Sequence, residues 1–230
     1  MIDCKLASQS LTFSETKFPG LLVVFCGLDG SGKTTLINSL VDALTQEGRA
    51  PFTTKQPTDA VRESSLFKRV MYTADSAREI EYRAHSLITV SDRVQHSLRV
   101  ILPKLNEGKI VISDRYFFSA LANLRARGYR QDNWIYELGN LLPRPDIAFF
   151  CEPPFDLILR RLQERESERS RFFDLEFNKA LYREFVWVRT NYAESVVLDT
   201  SDDPKRTREL IESRVFRTIQ NKLATYSRST

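Results

Sequence analysis

Residues 27–35 read Gly-Leu-Asp-Gly-Ser-Gly-Lys-Thr-Thr and contain the pattern G-x-x-x-x-G-K-[ST]. Glycines at this spacing let a backbone wrap so that its N–H groups converge on phosphate oxygens. A helix starting at Lys33 would add the partial positive charge of its N-terminus. Lys33 is then spaced to reach the β- and γ-phosphates of a nucleoside triphosphate, and the Thr34 hydroxyl to ligate Mg²⁺. A second chemical set, Asp114-Arg115-Tyr116, closes an apolar run. Such an Asp can hold a metal's water shell, and Arg115 can clamp the phosphate that accepts a transferred group; the plainer reading is a loop ion pair. A third set is the run from Arg160 to Arg171, which carries Arg160, Arg161, Arg165, Arg169 and Arg171. A closing lid that neutralises a moving phosphoryl group would need such residues. A solvated helix face is the competing reading, because Glu164, Glu166 and Glu168 alternate with the arginines.

These residues must be held by elements, and the hydropathy pattern supplies them. Leu21–Cys26 is a short apolar run bounded by Gly20 and Gly27, as a buried parallel strand would be. The period of 3.6 in Leu36, Leu40, Ala43 and Leu44 predicts a helix over 33–47, stopped by Gly48. Further strands are expected at 52–55, 109–113, 146–151 and 195–198. Helices are expected at 77–107 with a kink near Pro103, and at 117–127, 131–141, 154–164, 174–191 and 204–222. Alternation of this kind predicts an α/β fold with a doubly wound, five-stranded parallel sheet flanked by helices, of the P-loop type. The loop at the end of the third strand would bring Asp114 and Arg115 beside the glycine loop. Residues 19–225 are expected to form one P-loop domain with an Arg-rich lid at about 160–174, and residues 1–18 a flexible extension.

Composition narrows the class. Of 230 residues, 42% are hydrophobic and 28% charged, enough for a packed core and against disorder. No apolar run reaches the ~20 residues of a membrane span. The net charge is +4, with 24 Arg against 10 Lys, and the arginines alternate with acids without an aromatic stripe. That disfavours a nucleic-acid surface. Cys4, Cys26 and Cys151 are odd in number and widely spaced, so neither a disulfide framework nor a metal site is expected. A soluble cytoplasmic protein is the expectation.

The chain resembles the thymidylate kinase family of nucleoside monophosphate kinases. Besides the glycine loop, the resemblance is carried by K-Q-P-T at 55–58, S-D-R-V-Q-H at 91–96, the stretch 101–122 including D-R-Y-F-F-S, P-R-P-D at 143–146, and the segment 160–174. It implies phosphoryl transfer from ATP, with Mg²⁺, to a nucleoside monophosphate, most simply dTMP to dTDP. A homodimer built on the helix over 77–107 is also implied. ATP would be bound by Gly27, Asp29, Gly30, Ser31, Gly32, Lys33, Thr34 and Thr35, and the metal by Thr34 and Asp114. Lys33, Asp29 and Arg115 would be catalytic with lid residues Arg165, Arg169 and Arg171. The acceptor would meet Gln56, Pro57, Thr89, Arg93, Arg115, Tyr116, Ser119 and Asn123.

Three acceptor-side positions depart from the family pattern. Lys55-Gln56-Pro57 stands where Arg-Glu-Pro is usual, Thr89 where a Phe stacks on thymine, and Asn123-Leu124 where an aromatic and Gln are common. Phe117 or Tyr72 could supply a missing ring. The acceptor therefore stays open between dTMP and another nucleotide or a specialised small molecule. For an alcohol acceptor Asp29 would be the candidate base. A catalytically silent nucleotide-binding regulator is the alternative from another class. His85 and His96 lack metal-ligand partners in sequence.

Overall fold

A computed structural model describes residues 11–72, 81–164, 173–192, 194–201 and 203–226. Its centre is β1 (Leu21–Cys26), whose six residues are all buried. Side chains alternate across a strand, so Leu22, Val24 and Cys26 enter one core while Leu21, Val23 and Phe25 enter another. Both faces being covered explains why the run is continuously apolar. With β2 (Phe52–Lys55), β3 (Ile110–Asp114), β4 (Ile147–Cys151) and β5 (Ser195–Leu198), it forms a parallel sheet in the order β2-β3-β1-β4-β5. The expected doubly wound sheet is present, with strand limits within one residue of those read from the pattern.

Helix α1 (Lys33–Gln46) packs with the C-terminal helix on the Leu21 side of the sheet. Two short helices follow β2: α2 (Asp59–Arg62) and α3 (Ser65–Tyr72). The long helix begins as α4 (Tyr82–His96), passes through a π turn at Ser97–Ile101 and ends as α5 (Leu102–Asn106). The π turn lies just before Pro103, whose missing N–H cannot complete an α-helical ladder. This is the irregularity that the proline foretold. Helix α6 (Phe117–Ala126) follows β3, and α7 (Trp134–Leu138) with a 3₁₀ turn is shorter than its pattern suggested. Then come α8 (Phe155–Gln163), α9 (Leu175–Thr190) and α10 (Pro204–Tyr226). A buried cluster fastens α6 to α9: Arg125 Nε donates to Glu184 at 2.7 Å, Arg130 Nε to the other carboxylate oxygen at 2.6 Å, and Arg125 stacks on Trp187. That clamp fixes one wall of the site described below.

Of the extension expected over 1–18, residues 1–10 lie outside the described residues and residues 11–18 are packed against the core. Ser14 N donates to Leu142 O at 2.9 Å and forms a bridge with Pro143. Phe13 is 6% exposed and packs against Tyr116, Phe117, Phe118 and Tyr192. Burying a Phe side chain contributes ~2–3 kcal/mol, which with the backbone hydrogen bond offsets part of the ~1–2 kcal/mol per residue that ordering the segment costs. Polar residues around Phe13 hid that anchor in the sequence.

Cys26 and Cys151 are buried, and burial pushes both thiols up to about 12, which leaves them unreactive. Cys4 lies outside the described residues. Among the described residues no helix is long and apolar enough to cross a membrane.

Candidate active site

The glycine loop leaves the carboxyl end of β1 and enters α1, where ligands gather in open α/β sheets. Gly27 has φ 140°, and a Cβ there would sit 2.6 Å from Cys151 O. Gly32 caps α1 in the left-handed region at φ 87°, with no side-chain cap for the first-turn N–H groups. Those amides are open to an anion. Lys33 is 6% exposed and donates to Leu28 O at 2.6 Å and Gly27 O at 3.1 Å. Burial, with Arg115 nearby, lowers its ammonium to about 8. Below that value the side chain is a cation facing the loop; above it the attraction for triphosphate is lost. We therefore expect kcat/KM for ATP to fall above about pH 8, approaching tenfold per pH unit, while kcat at saturating ATP holds because bound phosphate oxygens keep the ammonium protonated. Initial rates at varied ATP across neutral to alkaline pH would check this, and a flat profile would contradict it.

Arg115 stands across the loop. Its Nη2 donates to Asp29 Oδ1 at 2.6 Å and its Nη1 to Gly27 O at 3.0 Å. Burial alone would lower its pKa, but the Asp29 and Asp114 carboxylates outweigh this and hold it raised. Its backbone takes φ 70°, uncommon for a residue with a side chain. The strain is held by Arg115 N donating to Phe25 O at 2.8 Å and by Ser113 Oγ donating to Arg115 O at 2.7 Å. Beside it, Asp114 Oδ2 meets Lys55 Nζ at 3.8 Å, while Oδ1 is buried with no hydrogen-bond partner among the described residues. An orphaned carboxylate oxygen and the exposed Thr34 at the loop's end fit the expected Mg²⁺, which keeps several waters and takes few protein ligands.

The loop opens into a cleft of about 620 Å³ walled by α4 and α6. Thr89 and Arg93 line it from α4; Ser119 and Asn123, four residues apart, line it from α6. Arg93 is 3% exposed, and burial lowers its guanidinium to about 10. Its Nη1 donates to Thr89 O at 2.7 Å and its Nε to Tyr116 O at 3.3 Å. Pro57 lines the cleft and Gln56 is fully buried behind it, its amide nitrogen and oxygen both unpartnered among the described residues.

Tyr116 is a correction. Its side chain is fully buried, its hydroxyl donates to Pro143 O at 2.8 Å, and burial raises its pKa. The aromatic ring is therefore core, and only its carbonyl serves the site, through Arg93. Phe117 is buried against Phe13 and supplies no ring to the cleft; the Tyr72 side chain is not among those described.

Other side chains do line the cleft and were not anticipated: Arg62 and Phe67, Tyr82 and His85, and Arg127. Arg127 lies between the rings of Tyr82, at 4.1 Å, and Phe177, at 3.7 Å. Its i+4 relation to Asn123 was the available signal.

The arginine run divides. Arg165, Arg169 and Arg171 lie outside the described residues. Arg161 turns toward the glycine loop: its Nη1 donates to Thr200 Oγ1 at 2.9 Å and its Nη2 to Thr200 O at 2.8 Å. Thr200 Oγ1 in turn donates to Ser31 O at 3.0 Å. This strut ties α8, the residue range leading to the expected lid, to the loop and to the β5–α10 corner.

A parallel sheet in this order, a phosphate loop at the end of β1, and the Arg-lined cleft it opens into define a P-loop phosphotransferase of the nucleoside monophosphate kinase class. The family model for thymidylate kinase matches residues 25–211. A probable thymidylate kinase of Pyrococcus horikoshii is 38% identical over 148 residues, covering 64% of this chain and 71% of the relative. One from Thermococcus kodakarensis is 30% identical over 191 residues, 80% and 91% of the two chains. The thymidylate kinase of Bacillus cereus is 29% identical over 211 residues, 89% and 99%. The chain belongs to the thymidylate kinase family.

Proposed function

We propose that this protein transfers the γ-phosphoryl group of ATP to the 5′-phosphate of dTMP, giving ADP and dTDP. The observation that supports this most is the meeting of two phosphate sites: the Lys33 loop and, across it, Arg115 at the mouth of the α4–α6 cleft. An acceptor phosphate oxygen is already ionised, so in-line attack on the γ-phosphorus needs no strong base. Positioning and charge neutralisation do most of the work, and holding two reactants in line can supply ~7–11 kcal/mol of the barrier.

In this reading Lys33 and the first-turn amides of α1 hold the donor phosphates. Arg115, oriented by Asp29, holds the acceptor phosphate, and Arg93 with Ser119 and Asn123 lines the nucleoside. Arg165, Arg169 and Arg171 would neutralise the transferring group. Thr34 and Asp114 would hold Mg²⁺, which draws charge from the phosphate oxygens when bound. The same reading places the protein in the cytoplasm as a homodimer, for which the exposed Leu87, Ile88 and Leu98 on the outer face of the long helix are a suitable apolar surface.

A nucleotide other than dTMP is the second reading, favoured by the small polar Thr89 on the cleft wall. ADP release with ATP and a panel of deoxynucleoside monophosphates and phosphorylated non-nucleotides decides it. We expect dTMP to give the highest kcat/KM. Release with another acceptor alone would favour the second reading, and none with any nucleotide would refute both.

A further inference from the structure

We propose that Phe67 and His85 form the wall that recognises the nucleobase, the ring of Phe67 stacking on the base and His85 Nε2 reading its hydrogen-bonding edge. This deepens the nucleoside monophosphate reading and rests on it.

The cleft has a direction. Arg93 on α4 meets Tyr116 O at the start of α6, and Tyr82 at the start of α4 meets Arg127 just beyond the end of α6. The two walls therefore run antiparallel. Arg115 and Lys33 mark the phosphate end. His85 lies eight residues before Arg93 on α4, ~12 Å along the helix, toward the other end. A nucleoside monophosphate laid from Arg115 turns its base toward that end.

Most polar groups along this path are engaged. Thr89 Oγ1 donates to Ser86 O at 3.0 Å, Asn123 Nδ2 to Ser119 O at 2.8 Å, and Arg62 Nε to Pro57 O at 2.6 Å. Three buried atoms of cleft-lining residues have no partner among the described residues: Asp114 Oδ1 and Ser119 Oγ, nearer the phosphate end, and His85 Nε2 at the other. A buried polar atom left unpaired is costly, so a ligand that pairs it is favoured over one that leaves it unpaired. The rings show the same division. Arg127 covers Tyr82 and Phe177, whereas Phe67 lies 5.9 Å from His85 with the two ring planes 31° apart.

His85 is suited to a neutral edge. Burial, with Arg127 and Arg93 nearby, holds its imidazole down to about 4. It therefore offers one donor and one acceptor nitrogen through the physiological range. Nε2 can accept from the N3–H of thymine or uracil in one tautomer, or donate to an adjoining carbonyl in the other. The neighbouring guanidiniums of Arg93 and Arg127 donate only, so they favour a carbonyl over the amino group of cytosine.

The test compares His85→Phe, His85→Gln and Phe67→Leu with the wild type, measuring kcat/KM for dTMP, dUMP, dCMP and ATP. His85→Phe keeps a ring of similar size but no hydrogen bond. We expect it to lose about tenfold in kcat/KM for dTMP and most of the preference over dCMP, with ATP unaffected. His85→Gln should stay within about threefold, and Phe67→Leu should weaken all three acceptors alike, since stacking tolerates any base. Should His85→Phe fail to fold, His85→Ala is read in the same way. Unchanged acceptor constants and preference in the histidine variant of an active enzyme would overturn this inference alone. A wild type inactive on every nucleoside monophosphate would overturn the underlying reading, and the inference with it.

Discussion

Lys33→Ala should lower kcat by about a thousandfold, with the fold intact. The size follows from the loss of a preorganised cation where charge develops on the β- and γ-phosphates, for which removal of one such group costs ~10²–10³ in rate. The preorganisation is visible. The ammonium is 6% exposed and already held by Leu28 O and Gly27 O, so little reorganisation is needed when phosphate oxygens replace those partners. The same burial lowers its pKa to about 8, a cost the protein bears for keeping a cation there. Relieving that cost should leave the thermal midpoint of the alanine variant unchanged or slightly raised. Single-turnover rates and a thermal melt measure both. A variant that kept the original rate would remove Lys33 from the chemistry.

Arg115 tests the other half of the site. Arg115→Ala should cost about 10²–10³ in kcat/KM for the acceptor, because it removes a positioned cation and frees Asp29 from its 2.6 Å ion pair. The backbone supplies a control. At φ 70° alanine keeps the left-handed strain, whereas glycine does not. Arg115→Gly should therefore be more stable than Arg115→Ala by about 1 kcal/mol, yet equally inactive. Steady-state kinetics and denaturant unfolding of the two variants separate the catalytic loss from the structural one. If glycine restored activity, backbone strain would be the residue's contribution, not its charge.

These two residues also show how far the sequence could be read. Lys33 was legible because its neighbours are local: a strand, three glycines and a helix start, all within a few residues. Arg115 was legible in type and place, from its position after an apolar strand. Its left-handed backbone was not, since that depends on Phe25 O on the neighbouring strand β1 as well as on Ser113 two residues back. Tyr116 shows the limit more sharply. It adjoins two site residues, but a strand-to-helix turn sends successive side chains in different directions, and its ring enters the core while Arg115 faces the cleft. Arg161 shows the same. Within the run it looked like any lid arginine, and only the approach of Thr200, far along the chain, gives it a different task.

Sequence alone determined the donor half and the frame: the phosphate loop, the five strands to within a residue, and the paired Asp114 and Arg115. Periodicity and turn chemistry are local, so they survive in one dimension. Tertiary structure decided the acceptor half. Packing of α3, α4 and α6 brought Phe67, His85 and Arg127 to one cleft with Gln56 buried behind it, and the rings of Tyr116, Phe117, Phe118 and Tyr192 took Phe13 into the core. Those placements depend on which distant surfaces meet, and hydropathy periods carry no record of that.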